Sequence, residues 1–113
     1  MDTPQIGMLR RAMDAYTMRM QAQASNIANL DTPGYKRITV SFEDQLQDAI
    51  HNVPGVRDPS EIKATTRVEN RPPQLEDELM EMADTQMRTQ LATRALREQF
   101  DLLSAGITGR SAG

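Results

Sequence analysis

From residue 4 to residue 30, apolar side chains return every three or four positions: Ile6, Leu9, Met13, Tyr16, Met20, Ile27 and Leu30, with Gln23 the interruption. That period places them on one stripe of a long helix with coiled-coil-like spacing. Thr3 can cap the first turn through its hydroxyl, and Pro4 suits the first helical position, where an N–H would lack a partner anyway. Pro33 disfavours helical backbone at Thr32, so the helix must stop ahead of it. Thr32-Pro33-Gly34-Tyr35 has the make-up of a type II turn, whose third residue needs positive φ and is here a glycine.

Beyond the turn, Ile38, Val40 and Phe42 alternate with polar residues, which predicts a short extended segment with one apolar face. Ser41 followed by Asp44 resembles a capping box that opens a short helix over 42–51, with Leu46, Ala49 and Ile50 on its buried side. Asn52 to Gln74 contains Pro54, Gly55, Pro59, Pro72 and Pro73 with no sustained period, and reads as an unusually long loop.

Residues 75–107 predict the second long helix. Glu76, Asp77 and Glu78 favour its positive end, Arg88, Arg94 and Arg97 follow, and Gly106 and Gly109 end it. Its apolar positions are Leu75, Leu79, Met82, Met87, Leu91, Leu96, Phe100, Leu103 and Ile107. They drift around the helix, so they face more than one neighbour. At 1.5 Å per residue the two helices reach about 40 and 50 Å, more than a compact chain of this size needs. The expected fold is mainly α: an elongated hairpin of two long helices (4–30 and 75–107). A turn, short extended segment and short helix (31–51) and a loop (52–74) join them, all within one domain spanning 1–113.

Composition adds that such a hairpin is short of core. Leu, Ile, Val and Phe supply 21 of 113 residues, just under the one-fifth level below which chains fold poorly alone. Eight methionines partly offset this, and their flexible thioethers suit surfaces that adapt to several neighbours. The isolated subunit is therefore expected to be marginal and to depend on partners. The 13 basic and 16 acidic residues are interspersed, with a net charge of −3, so no field draws nucleic acid. There is no cysteine, hence no disulfide framework and no thiolate metal site. No apolar run suggests a membrane span, and the amino terminus lacks the order of a cleaved signal.

Catalytic chemistry has little to stand on. His51 is the sole histidine and sits at a predicted helix end, with no second histidine or cysteine to share a metal or activate a nucleophile. The cluster Glu76, Asp77, Glu78, Glu81 and Asp84 coincides with a helix amino end, where acids are ordinary. Those acids are also expected to pair with Arg10, Arg11 and Arg19 of an axially shifted neighbour, since in an antiparallel hairpin the two groups lie at opposite ends. No glycine-rich phosphate loop precedes a helix and no Gly-x-Ser-x-Gly occurs. The chain is read as a non-enzyme without catalytic, cofactor or metal residues.

The specific signal is Ala24-Ser25-Asn26-Ile27-Ala28-Asn29-Leu30-Asp31-Thr32-Pro33-Gly34-Tyr35-Lys36. Two asparagines three apart near a helix end form helix poorly, and their amides can bind the backbone of a turn or of a neighbouring chain. On spacing alone the segment is a helix end, with Asn29 as a cap and Asp31 as a turn former.

The same stretch closely resembles the Ser-Asn-Ile-Ala-Asn signature of the flagellar axial proteins: rod, hook and hook-associated subunits. Its continuation from Asp31 to Lys36 is most similar to that of proximal rod subunits, and the long inserted domain of hook and distal-rod relatives is missing. The segment from Leu75 to Ile107 is similar to the family's second helix. The resemblance implies a structural subunit of the proximal rod of the bacterial flagellar basal body. Such a subunit polymerises by lateral packing of its two helices, transmits torque and extends the axial export channel. Implied partners are copies of itself, other rod subunits, and the membrane ring and export gate proteins, with no nucleic acid and no membrane insertion. Implied too are a place spanning the periplasm and export by the flagellar type III apparatus without a cleaved signal. The residues expected to serve assembly are Ser25, Asn26, Ile27, Asn29, Asp31, Thr32, Pro33, Gly34 and Tyr35, with Leu79, Met82, Leu96, Phe100 and Leu103 of the second helix. A soluble helical adaptor or export chaperone, or another small rod subunit, is the alternative.

Overall fold

A computed structural model describes residues 3–51 and 58–108. Its elements run α1 (Pro4–Ala28), β1 (Ile38–Ser41), α2 (Glu43–Ile50), a 3-10 turn (Pro59–Glu61), β2 (Thr65–Val68) and α3 (Leu75–Thr108). The molecule is elongated, 60 × 33 × 17 Å. Gly109, Pro54 and Gly55 and the side chain of Ile107, all used in the sequence reading, lie outside the described residues.

Helix α1 begins as expected, with the Ile6 N–H donating to Thr3 Oγ1 at 3.2 Å and Pro4 in the first turn. Its buried face differs from the predicted stripe. Ile6, Ala12, Ala15, Ala22, Gln23 and Asn26 are buried, whereas Leu9, Met13, Tyr16, Met20, Ile27 and Leu30 are half-buried flanks. Small residues line the contact because two backbones approach there closely, and Gln23, which looked like an interruption, sits in the seam with 3% exposure. Gln23 Nε2 donates to the Thr85 hydroxyl at 3.1 Å, while Leu9 and Ala12 share a groove with Leu91 and Ala95. Positions falling along α1 therefore meet positions rising along α3, and the two long helices are antiparallel.

The loop expected over 52–74 is corrected. It holds the 3-10 turn and β2, which pairs antiparallel with β1 in the register Ile38 to Val68, Thr39 to Arg67, Val40 to Thr66 and Ser41 to Thr65. Every residue of β2 is exposed, so no alternation marks it, and only its β-branched content hints at a strand. The capping box is corrected too. Phe42 occupies the cap position of α2 without a side-chain cap, and Ser41 Oγ bonds Gln45 Oε1 instead. Ile50 is 48% exposed and not part of the buried side, while Ala49 is buried and Leu46 packs against the core. His51 ends α2 by donating its N–H to the Gln47 carbonyl at 2.9 Å.

The core is small. Phe42 lies among Ala12, Ala15, Ala49 and Ile62, flanked by Tyr16, Leu46 and Ala64. It is centred between α1, α2 and the chain after the 3-10 turn. A Cβ at Gly7 would meet Ser60 Cβ at 3.1 Å, so glycine there lets the 3-10 turn lie against α1. Arg11 Nε donates to the Ser60 carbonyl at 3.2 Å beside it.

Candidate functional site

The signature segment folds into a clasp at one end of the hairpin. Asn26 has no solvent exposure. Its Nδ2 donates to the Ile38 carbonyl at 2.8 Å, and its Oδ1 accepts the Ile38 N–H at 2.9 Å and the Tyr35 hydroxyl at 3.1 Å. One side chain thus pairs with β1 as a neighbouring strand would. Ser25 Oγ lies 2.9 Å from the Tyr35 oxygen. Asn29 Nδ2 donates to the Ser25 carbonyl at 2.8 Å, and Asn29 Oδ1 accepts from Thr32 Oγ1 at 3.0 Å. Between Thr32 and Tyr35 the chain turns through Gly34 at φ +77°, with the Tyr35 N–H donating to the Thr32 carbonyl at 3.2 Å, the bond and sign of φ that a type II turn requires. Asp31, Thr32, Pro33 and Gly34 are exposed and Ile27 is half-buried. The clasp therefore aims its polar side chains inward and presents its turn to solvent.

Beside the clasp lies a charged node that the sequence reading did not find. Arg37, 4% exposed, donates through Nε to Glu78 Oε1 at 2.6 Å and through NH1 to Glu69 Oε1 at 3.2 Å, and its third nitrogen meets Glu81. Its own N–H donates to the Arg71 carbonyl, and its carbonyl accepts the Glu69 N–H. Burial works against the charge on Arg37, but the hydrogen bond it donates to Glu78 and the fields of Glu81, Glu78 and Glu69 outweigh it and hold the guanidinium pKa above its ordinary value. Glu78 is wholly buried, with Oε2 lacking a hydrogen-bond partner among the described residues. A second node joins Arg19 to Glu43 at 2.6 and 2.8 Å and to the Val40 carbonyl at 2.9 Å, with Arg88 3.6 Å from Glu43. The Arg19 hydrogen bond pushes the Glu43 carboxyl below its usual range.

These nodes revise the reading of the acidic cluster. Glu78 and Glu81 serve Arg37, Asp84 pairs with Arg88 at 2.8 Å, and Asp77 lies 3.9 Å from Arg71. Arg19 is engaged by Glu43, so charges expected to pair between chains are largely matched within one. The signal available in sequence was Arg37 directly after the turn, opposite five acids at the start of α3.

On α3 the residues picked out by periodicity divide. Met82, Leu96 and Leu103 are half-buried, whereas Leu79 and Phe100 are 52% and 42% exposed. A further stripe of Met80, Met87, Leu91 and Leu102 is more exposed still. Their spacings of seven, four and eleven residues put them on one side of the helix. Leu91 also borders a shallow groove of about 360 Å³ with Leu9, Ala12 and Leu46.

The clasp falls inside the stretch of the chain that matches a known family. Residues 8–36 match the family described as flagella basal body rod protein. Over 47 residues the chain is 43% identical to the flagellar basal body rod protein FlgB of Borrelia hermsii, a match covering 42% of this chain and 35% of that protein. The corresponding protein of Borreliella burgdorferi is 43% identical over 42 residues, 37% of this chain and 31% of the relative. The chain spans about a third of the length of the curated relatives it matches. The signature segment and these partial matches agree, and over them the chain is similar to flagellar basal body rod proteins.

Proposed function

We propose that this chain is a structural subunit of the proximal rod of the flagellar basal body. Residues 1–113 act as one rod-type domain that polymerises by lateral packing of α1 and α3 against copies of itself and other rod subunits. In that place it transmits torque, extends the axial export channel and adjoins membrane ring and export gate proteins across the periplasm. It arrives there through the flagellar type III apparatus without a cleaved signal.

The observation that supports this best is the apolar outer side of α3. Met80, Met87, Leu91 and Leu102 are each more than half exposed. They form a stripe along one side of α3, with Leu91 at its edge also bordering the groove shared with Leu9 and Leu46, on a molecule whose core is small. Large exposed apolar side chains aligned on one side of a helix, here alternating with the exposed Asp84, Arg94 and Glu98, suit a packing interface with a polar share. Leu79 and Phe100 are exposed as well, but on other sides of the helix, so they would meet different neighbours. The clasp residues Ser25, Asn26, Asn29, Gly34 and Tyr35 position the bend, while Asp31, Thr32 and Pro33 offer the exposed turn to a neighbour.

Met87→Glu with Leu102→Glu tests the reading. Exposed substitutions change stability by only about 0.5 kcal/mol, so the variant should melt like the parent and be exported, yet enter few basal bodies and swim poorly. Normal incorporation and swimming would remove the outer side of α3 from the interface. A parent chain recovered only as a discrete soluble monomer or dimer, never in basal bodies, would instead favour an adaptor or export chaperone.

A further inference from the structure

The two edges of the small sheet are treated unequally. The Glu69 N–H donates to the Arg37 carbonyl at 2.8 Å and the Arg37 N–H to the Arg71 carbonyl at 2.9 Å, so the backbone groups of 37 and 69 face across the ladder. In an antiparallel ladder such pairs alternate. Residues 39 and 41 of β1 and 65 and 67 of β2 therefore turn their backbone groups toward each other. Ile38 and Val40 turn theirs away from β2, and Thr66 and Val68 turn theirs away from β1.

On the β1 side, side chains of α1 take up that outer edge. Asn26 bonds both the N–H and the carbonyl of Ile38, and Arg19 donates to the Val40 carbonyl at 2.9 Å. On the β2 side no side chain among the described residues caps Thr66 or Val68. All four residues of β2 are exposed, and Val68 shows 61% of its surface. Charged side chains, Pro and bulges are the usual protection of an open edge; between Thr65 and Val68 there is no proline, and Arg67 is the single charged residue.

We propose that the outer edge of β2 is a docking site for one extended segment of a neighbouring subunit of different sequence, which adds to the sheet as a third strand; this rests on the rod-subunit reading above. Backbone is the matching ligand, because only an extended chain presents N–H and carbonyl groups at the spacing of Thr66 and Val68. A second copy of β2 does not fit. The antiparallel register that pairs both outward residues of one β2 with both of another, Thr66 with Val68 and Val68 with Thr66, sets Arg67 directly opposite Arg67. Like charges face each other there at the closest type of cross-strand pair. Arg67 makes no ion pair among the described residues. The segment that fits carries an acidic side chain opposite Arg67, an aliphatic one beside Val68, and no proline where its N–H groups must reach the carbonyls of β2.

Hydrogen exchange of the full chain, free and within purified basal bodies, tests the proposal. The amides of Thr66 and Val68 should exchange quickly in the free chain and about a hundredfold more slowly in basal bodies. A substitution supplies the second arm. Thr66→Pro deletes an N–H that faces away from β1, a position where an edge strand tolerates proline. It should melt like the parent but enter basal bodies about tenfold less, while Thr66→Ser, which keeps the N–H, should behave as the parent. Equal exchange in the two states, or full incorporation of a folded Thr66→Pro chain, would overturn strand addition and leave the rod reading intact. A dimer of the purified chain that Thr66→Pro abolishes would overturn it by making the occupant a second copy. A parent chain absent from basal bodies would overturn both.

Discussion

Arg37 Nε donates to Glu78 Oε1 at 2.6 Å across the gap between the start of β1 and the first turn of α3, in a place where the carboxylate has no solvent exposure. A buried carboxylate is tolerated there because the guanidinium is fixed beside it. Taking away one partner strands the other, at about 3–5 kcal/mol. Arg37→Met should therefore lose stability on that scale, and Arg37→Met with Glu78→Leu should recover much of it. Urea unfolding followed by circular dichroism checks both. A single variant as stable as the parent would mean that Glu78 is not held by Arg37.

Asn26 is the residue that binds helix α1 to β1. Asn26→Leu leaves the N–H and carbonyl of Ile38 without the partner they now share, and unsatisfied buried groups cost about 1–3 kcal/mol each. The melting temperature should fall and the Ile38 amide should exchange faster than those of α1. Unchanged exchange at Ile38 would show that water replaces the amide without penalty.

Gly34 separates conformational strain from crowding. A Cβ there would meet no atom within 4 Å, while φ is +77°. Gly34→Val should accordingly cost about 1–3 kcal/mol through backbone strain alone, be exported, build few complete rods and swim poorly. Gly34→Asn should be milder, since asparagine tolerates positive φ. Normal motility of the valine variant at normal expression would separate the turn from assembly.

Acid should weaken the chain in a defined direction. The Arg19 hydrogen bond lowers the Glu43 carboxyl below its ordinary value of 4.5, and the Arg71 hydrogen bond lowers that of Glu69. A carboxyl depressed in the folded state contributes stability that is whole above the unfolded pKa and disappears as pH falls through the folded one. Melting temperature should thus hold above pH 4.5 and decline below it. Glu43→Gln should flatten part of that decline, and an identical acid profile for this variant would remove Glu43 from the cause.

What was legible in sequence follows from how local the signal is. Both long helices and the Gly34 turn show because caps, prolines and a period over many residues mark them. The buried face of α1 was misassigned because the helices meet through Ala12, Ala22, Thr85 and Ala92, whose small side chains carry weak hydrophobic signal. Strand β2 was hidden since all its residues are exposed and its partner lies 24 or more residues away in sequence. The Arg37 node joins residues 32 to 44 apart, and no periodicity connects such positions. Gly7 inside a helix is a readable sign of close approach, and Ser60 is what approaches it.

The outer stripe of α3 has a chemical lifetime as well as a shape. Two of its four members are thioethers, Met80 and Met87, at 73% and 57% exposure, and the chain has no cysteine to be oxidised ahead of them. Oxidation by a peroxide turns each into a sulfoxide, polar and chiral, where the stripe with Leu91 and Leu102 needs a thioether's apolar surface. If α3 packs laterally as proposed, subunits in free solution would age by this route while those covered by neighbours would be shielded, so the durability of the assembly would exceed that of its parts.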